Sequence, residues 1–224
     1  MADPRHLPHV VLASASPARL ALLRAAGIRP SVLTSHVDED ALVAAADAAV
    51  RSDGAALTQL LARAKARDVS DRIRRGELAV PAGPALVVGA DSMLARDGQL
   101  LGKARSAEEV RTRWAQMAGG TGVLVTGHTV VHLPSGRVAE AAVATTIRFG
   151  RPTPEELEAY IASGEPLAVA GSCTIDGLGG PFIDGIDGDH TNVIGLALPT
   201  LRGLVSALGV RWTDLWDTSS LGES

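Results

Sequence analysis

The run His9-Val10-Val11-Leu12-Ala13 is almost wholly apolar, and it breaks at once into Ser14-Ala15-Ser16-Pro17. Five such residues are too few for a helix and have no polar face, so they read as a buried interior strand. Ser16 is a suitable N-cap and Pro17 a suitable first helical residue, so a helix starts directly after the turn. Leu20, Leu22 and Leu23 carry it to Gly27, placed to end it as a left-handed C′ residue. A second short strand follows at 31–34. Residues 36–54 are acidic and alanine-rich, a loop with a helical piece. A long helix over about 55–75 shows Leu57, Leu60, Leu61 and Ala64 at helical spacing.

After the break Pro81-Ala82-Gly83-Pro84, residues 85–89 are apolar on both faces and read as another interior strand. Ser106 caps a further helix, with Glu109 at N3 as a capping box, and that helix ends near Gly119-Gly120. Residues 123–133 and 138–149 alternate and are joined by Pro134-Ser135-Gly136, which predicts an antiparallel hairpin. A helix opens at Thr153-Pro154-Glu155-Glu156 and runs to about Ser163. Residues 165–195 are loops with short strands, and 196–208 form a last helix after Pro199. Early strand–helix alternation plus a central hairpin predicts an α/β fold with a mixed sheet. The whole chain reads as a single domain of two lobes around one cleft, with 1–8 and 212–224 peripheral. Apolar residues make up 46% of the chain and aromatics 3%, so the expected core is Leu, Val, Ile and Ala.

A net charge of −4 gives no nucleic-acid footprint. No apolar run reaches the roughly 18–20 residues of a membrane span. Met1-Ala2-Asp3-Pro4-Arg5-His6 lacks a signal-peptide apolar stretch. A single cysteine, Cys173, excludes an intrachain disulfide and fits a reducing cytoplasm. With no local nucleophile signature, it reads as packing.

Three segments carry chemistry. Ser14, Ser16 and Arg19 surround a helix N-terminus, where free N–H groups, hydroxyls and a cation suit a phosphate. Gly89-Ala90-Asp91-Ser92 puts a carboxylate at the carboxyl end of an apolar strand, where it can hold a cation or take a proton. Of the 21 basic residues, only Lys65 and Lys103 are lysine. Lysine is a compact, tunable point charge that arginine does not replace. Asp38-Glu39-Asp40 reads first as solvated surface, with one member available to a metal. No Gly-x₄-Gly-Lys-Ser/Thr loop is present, and Gly177-Leu178-Gly179-Gly180 lacks dinucleotide-fingerprint spacing. His128 and His132 share a strand face without zinc-ligand company and read as structural. Turn chemistry accounts for Asp184, Asp187 and Asp189.

These segments, in this order, resemble the Maf family of nucleotide pyrophosphatases. The matching blocks are Leu12-Ala13-Ser14-Ala15-Ser16-Pro17-x-Arg19, Val37-Asp38-Glu39, Leu61-Ala62-x-x-Lys65-Ala66, Gly89-Ala90-Asp91-Ser92, Leu101-Gly102-Lys103 and Thr126-Gly127. They continue with Glu165-Pro166 through Ala170-Gly171, and Gly177 through Asn192-Val193-Ile194-Gly195-Leu196, covering roughly 10–205. The match looks nearest to actinobacterial members. The resemblance implies an elongated α/β fold like that of inosine triphosphate pyrophosphatases, with a central mixed sheet flanked by helices, and often a homodimer. It implies hydrolysis of a nucleoside triphosphate to monophosphate and pyrophosphate with Mg²⁺ or Mn²⁺, in nucleotide-pool sanitation or division arrest. Asp91 matches the proton acceptor, and Glu39, Lys65 and Lys103 the other charged catalytic positions. Ser14, Ser16 and Arg19 match the phosphate turn, Ser92 and Asp176 stand at substrate-binding positions, and Asp91 with Glu39 would hold the metal.

The chain departs from the subgroup patterns. Ala18, Ser92 and Asp176 stand where members acting on thymidine and uridine triphosphates carry Arg, Thr and Gln. The aromatic of the 7-methyl-GTP members is also missing at the first of these positions. Leu167-Ala168-Val169 replaces the usual Asp-Lys after Glu-Pro. Two readings from other classes stay open at this point: a non-enzymatic nucleotide-binding regulator of septum formation, and a nucleotide transferase.

Overall fold

The computed structural model describes residues 8–133 and 135–217 of the 224. The expectations for residues 1–7, for Pro134 and for 218–224 fall outside the described residues.

The apolar opening run forms strand β1 (His9–Leu12), and helix α1 (Pro17–Ala25) follows four residues of turn. Ser16 caps α1, its hydroxyl accepting from the Arg19 N–H, with Pro17 at N1. Then come β2 (Ser31–Val32), α2 (Glu39–Ala45), α3 (Ala48–Ser52) and the long α4 (Gly54–Arg74). Asp38 and Asp53 cap α2 and α4 through their carboxylates. The second half holds β3 (Ala85–Arg96), β4 (Gln99–Leu101), α5 (Ala107–Met117), β5 (Thr121–Leu133), β6 (Val138–Phe149) and α6 (Pro154–Ala162). It ends with β7 (Ile183–Asp187), α7 (His190–Ile194) and α8 (Leu198–Ala207).

The seven strands form one mixed sheet in the order β2-β1-β3-β5-β6-β7, with β4 beside β3. β1 runs parallel to β2 and β3; β5, β6 and β7 are antiparallel to their neighbours. The expected hairpin is β5–β6, paired from Thr121–Arg148 to Val131–Val138.

β3 is more than twice as long as expected, and its register creates the site. β1 pairs with β3 over residues 85–88, and β4 pairs with it over 94–96. β5 occupies the other edge throughout, from Ala85 to Ala95. Residues 89–93 therefore have a strand neighbour on one edge only. Asp91 lies in this gap, mid-strand and beyond the end of β1, rather than at a strand terminus. The misreading has a plain cause: the alternation in Asp91-Ser92-Met93 is polar enough to resemble a loop, yet the ladder with β5 continues through it.

α4 covers one face of the sheet. It lies unusually close because two of the residues beneath it are glycine. A Cβ on Gly89 would stand 2.3 Å from the Ala62 carbonyl oxygen, and one on Gly127 2.4 Å from that of Thr58. Val11, Ala13, Val87, Val131, Ala66 and Val69 pack between α4 and the sheet. On the opposite face, Val10, Leu12, Leu86, Val88 and Val130 meet Leu23 of α1 and Leu201 and Val205 of α8. Further along that face the core stays mainly aliphatic, with Leu94, Val110, Leu124 and Ile147, but it also gathers aromatic rings. Trp114 is 1% exposed and makes edge contacts with Phe149, Tyr160 and Phe182, so both phenylalanines and the only tyrosine gather there. Such edge-to-face pairs add about 0.5–1.5 kcal/mol each beyond burial.

Two smaller differences follow from local hydrogen bonding. Ser106 does accept from the Glu109 N–H, but Glu109 returns its carboxylate to Arg105 N–H rather than to the cap residue. The reciprocal box forms instead between Thr153 and Glu156. The segment from Trp212, expected at the periphery, carries Leu215 into the core beside α1 and α8. Asp217 N–H then donates to Gly27 O at 2.7 Å.

Candidate active site

Asp91 and Ser92 are neighbours in β3, so the pleat turns their side chains to opposite faces. Each meets a different group of partners.

On the α4 face, Lys65 Nζ lies 2.7 Å from Asp91 Oδ1 and 2.9 Å from Glu39 Oε1. Lys65 falls on the inward stripe of α4, with Leu61, Ala62 and Ala66, which brings its ammonium over the gap in β3. Lys65 and Asp91 are each 7% exposed. Burial pushes the Asp91 carboxyl above the ordinary carboxylate range, against the opposing pull of Lys65 and Arg19. A raised carboxyl is better matched to taking a proton near neutral pH. Glu39 opens α2 and its side chain is about half exposed. The acidic run thus separates: Asp38 caps α2 by accepting from Ala41 N–H, and Glu39 reaches Lys65. Neither α2 nor α3 buries a side chain.

On the α1 face, Arg19 is 9% exposed and each of its three guanidinium nitrogens makes one hydrogen bond. Nε donates to Gly195 O at 2.8 Å, one terminal nitrogen to Ser14 Oγ at 3.0 Å, and the other to Ser92 Oγ at 3.0 Å. Burial lowers its proton affinity, and the fields of Asp91 and Glu39 oppose that. Five N–H bonds less three leaves two uncommitted. Ser14 Oγ accepts from Arg19 and from Ser16 N–H, so its own proton is free to be given to an anion. Ser16 Oγ accepts from Arg19 N–H and likewise keeps its proton.

Two expected residues stand apart from these groups. Lys103 follows the β3–β4 hairpin, and its backbone bridges to Ala170. Its side chain is exposed and has no ion pair among the described residues. Asp176 is exposed on the loop before Gly177 and makes no contact with Asp91, Lys65 or Arg19. That loop is organised by Glu165, whose carboxylate accepts from Thr174 Oγ1 and from the N–H groups of Leu178 and Gly179.

Sequence reasoning missed Arg113. It is 7% exposed and donates to Gly102 O at 2.6 Å and to Lys103 O at 3.4 Å, while pairing with Glu109. A signal was present: Val110, Arg113, Trp114 and Met117 form one helical stripe, and a charge inside an apolar stripe needs internal partners. His128, read as structural, is fully buried, and its Nε2 accepts from Ala197 N–H at 2.9 Å. Burial, aided by nearby Arg19, pulls it down to about 4. Burial pushes the Cys173 thiol up to about 12, consistent with an inert packing residue.

The fold and these side chains define an α/β protein with a turn of hydroxyls around a buried guanidinium on one side of a strand gap and a carboxylate–ammonium pair on the other. Residues 9–208 match the model of the Maf family, described as Maf-like protein. The chain belongs to that family. It is 51% identical over 213 residues to the nucleoside triphosphate pyrophosphatase of Streptomyces coelicolor, spanning 95% of this chain and 97% of the relative. The enzymes of that name from Nocardia farcinica and Rhodococcus opacus are 52% and 49% identical over 212 and 218 residues. Those alignments span 92% and 95% of this chain, and 96% and 98% of the relatives.

Proposed function

We infer that the protein is a hydrolase that converts a nucleoside triphosphate to the monophosphate and pyrophosphate. The relatives' shared activity supports this, and one observation carries the chemistry. Asp91, with a raised proton affinity, sits 2.7 Å from a buried ammonium and within the field of an arginine that has two spare N–H groups.

In this reading Ser14, Ser16 and Arg19 receive phosphate oxygens, using the uncommitted protons counted above. Water attacks the α-phosphorus, Asp91 takes its proton, and pyrophosphate leaves. Lys65, Lys103 and Arg19 offset charge on the phosphate oxygens, and such preorganised electrostatics dominate phosphoryl transfer. Lys103 has no ion pair among the described residues, and in this reading its field acts on the substrate. Ser92 is already accepting from Arg19, so its role is to orient that guanidinium. Asp176 stands on a Glu165-pinned loop, where it would meet the nucleoside rather than the reacting phosphate.

Asp91 and Glu39 supply hard oxygen donors on either side of one ammonium, a set that fits Mg²⁺ or Mn²⁺. Magnesium sites commonly use one or two carboxylates together with substrate phosphates. A bound divalent ion would neutralise phosphate charge and polarise the reacting phosphoryl group. Among the described residues no group of three or more metal-ligating side chains comes together, so the phosphates would complete the shell.

The experiment is a panel of normal and modified nucleoside triphosphates with Mg²⁺ or Mn²⁺, assayed for pyrophosphate against monophosphate. Equimolar release of both is expected, and the panel also identifies the base. No turnover of any nucleotide would favour the non-enzymatic regulator, and turnover that requires an acceptor would favour a transferase. The homodimer is tested by light scattering across protein concentration. A cytoplasmic, reducing setting agrees with the single buried cysteine, and no helix among the described residues is long and apolar enough to cross a membrane.

A further inference from the structure

Arg19 is held by two hydrogen-bonded routes, and both lead to Asn192. The first passes through the hydroxyls. Arg19 donates to Ser92 Oγ at 3.0 Å, Ser92 Oγ lies 2.9 Å from Thr126 Oγ1, and Thr126 Oγ1 lies 3.4 Å from the backbone carbonyl oxygen of Asn192. The proton order along this route is forced. A guanidinium can only donate and a carbonyl can only accept. Ser92 must therefore give its proton to Thr126, and Thr126 must give its own to Asn192. The second route passes through the backbone. Asn192 O accepts from Gly195 N–H at 2.9 Å, and Gly195 O accepts from Arg19 Nε at 2.8 Å. Gly195 has φ +122°, which side-chain-bearing residues rarely adopt, so the turn that aims its carbonyl at Arg19 depends on glycine.

Asn192 anchors this ring to the sheet. It is fully buried, and its Nδ2 donates to Leu124 O at 3.2 Å, Thr145 Oγ1 at 3.0 Å and Val143 O at 3.4 Å. Its Oδ1 is buried without a partner. Flipping the amide would set that oxygen against two carbonyls, so the orientation is fixed even though one acceptor goes unmet. An orphaned buried acceptor is destabilising, because the desolvation of the oxygen goes uncompensated. A residue kept in that state invites a reason beyond packing.

We propose that the Asn192 side chain is a positioning residue for Arg19: by pinning its own backbone carbonyl to the sheet, it sets the Thr126–Ser92 and Gly195 routes that end on that carbonyl, and so, with Ser14, fixes which two N–H bonds of the guanidinium remain free for a phosphate. This rests on Arg19 being a substrate contact, as set out above. Three of the five N–H bonds are spent, two on the ring and one on Ser14, and the ring fixes the first two.

The test is a double-mutant cycle with Asn192→Ala and Arg19→Gln. Its readout is calorimetric binding of a triphosphate whose α,β-bridging oxygen is replaced by methylene, so that no turnover is required. Asn192→Ala alone should weaken binding about tenfold. In the Arg19→Gln background the same change should alter binding less than about twofold, because the group it positions is already gone. Equal losses in both backgrounds would overturn the proposal, as would unchanged binding in Asn192→Ala. Thr126→Val keeps shape and severs one route. If Asn192→Ala does not fold, Thr126→Val carries the cycle, with about threefold weaker binding expected alone and none added beside Arg19→Gln. In kinetics the positioning role predicts a raised KM together with a lowered kcat, whereas a purely structural role lowers Tm and leaves both constants of the folded fraction intact. If Arg19→Gln itself binds normally, the substrate-contact reading fails and the positioning claim falls with it. If the parent binds the analogue but hydrolyses no nucleotide, the hydrolase reading fails while the cycle still decides Asn192.

Discussion

The two faces of β3 solve the problem of buried polarity in different ways. On the α1 face, Arg19 has neutral partners (two hydroxyls and a carbonyl), all within 3.0 Å. The ring closes through fully buried Thr126 and Asn192. On the α4 face, Lys65 meets two full charges, one buried and one half in solvent on a helix that buries nothing. The first arrangement holds a cation rigid with most of its hydrogen bonds spent. The second holds a cation between two anions, one of which can move away with little loss of apolar contact. A charge neutralised by neutral dipoles stays available to an incoming phosphate. A charge neutralised by carboxylates becomes available only when one of them finds another partner, such as a metal ion.

The largest expected effect tests the charged face. Asp91→Asn should reduce turnover on the order of 10³ or more, while nucleotide binding stays within several-fold. Near-normal turnover in the purified variant would remove Asp91 from the mechanism. Next come the two lysines, which should cost alike in rate and differ in stability. Lys65→Ala and Lys103→Ala should each lower kcat/KM by ~10²–10³. Lys65→Ala should also lose roughly 3 kcal/mol of stability, because it leaves Asp91 buried beside no ammonium. Lys103→Ala should unfold like the parent, its side chain being exposed. Identical denaturant midpoints for the two would break the contrast.

On the Arg19 face the sharper probe is pH. His128 titrates at about 4 in the folded protein, against an ordinary value of 6.5. Between those values the unfolded chain binds the extra proton, so stability is full above about 6.5 and falls as pH drops toward 4. The whole loss is on the order of 3 kcal/mol. Denaturant melts from pH 7.5 to 4 should show this slope, and His128→Asn should flatten it; an unchanged slope would place the proton uptake elsewhere. The smallest effect belongs to Glu39→Gln. Its half-exposed pair contributes ~1 kcal/mol or less, so the melt should barely move, while the metal concentration for half-maximal rate should rise. A large stability loss would show that α2 is held more firmly than its burial indicates.

Much of this was legible in the chain. The β1–turn–α1 unit could be read because a short apolar run, a capping serine and a proline act within four residues of one another. Lys65 and Asp91 could be found because lysine is rare here and the carboxylate follows an apolar strand. What could not be read depends on residues far apart in sequence. The extension of β3 through Asp91-Ser92-Met93 rests on pairing with β5, dozens of residues later. Thr126 and Asn192 fall in blocks that carry the family resemblance, yet their own chemistry gives no local reason for it, since threonine in a strand and asparagine near a turn are ordinary. Their importance arises from a ring whose Arg19–Gly195 link spans 176 positions. The aromatic cluster was obscured by composition: a low average says nothing about where the few members gather.

The pleat of β3 has one more consequence. Asp91 and Ser92 are adjacent, so the separation between the carboxylate that meets Lys65 and the hydroxyl that meets Arg19 is the thickness of a single extended chain. No loop sets it. Insertions in the surrounding turns can widen or narrow access while this built-in ruler keeps its length, whereas one residue gained or lost between Ala85 and Ala90 would exchange the two chemistries between faces.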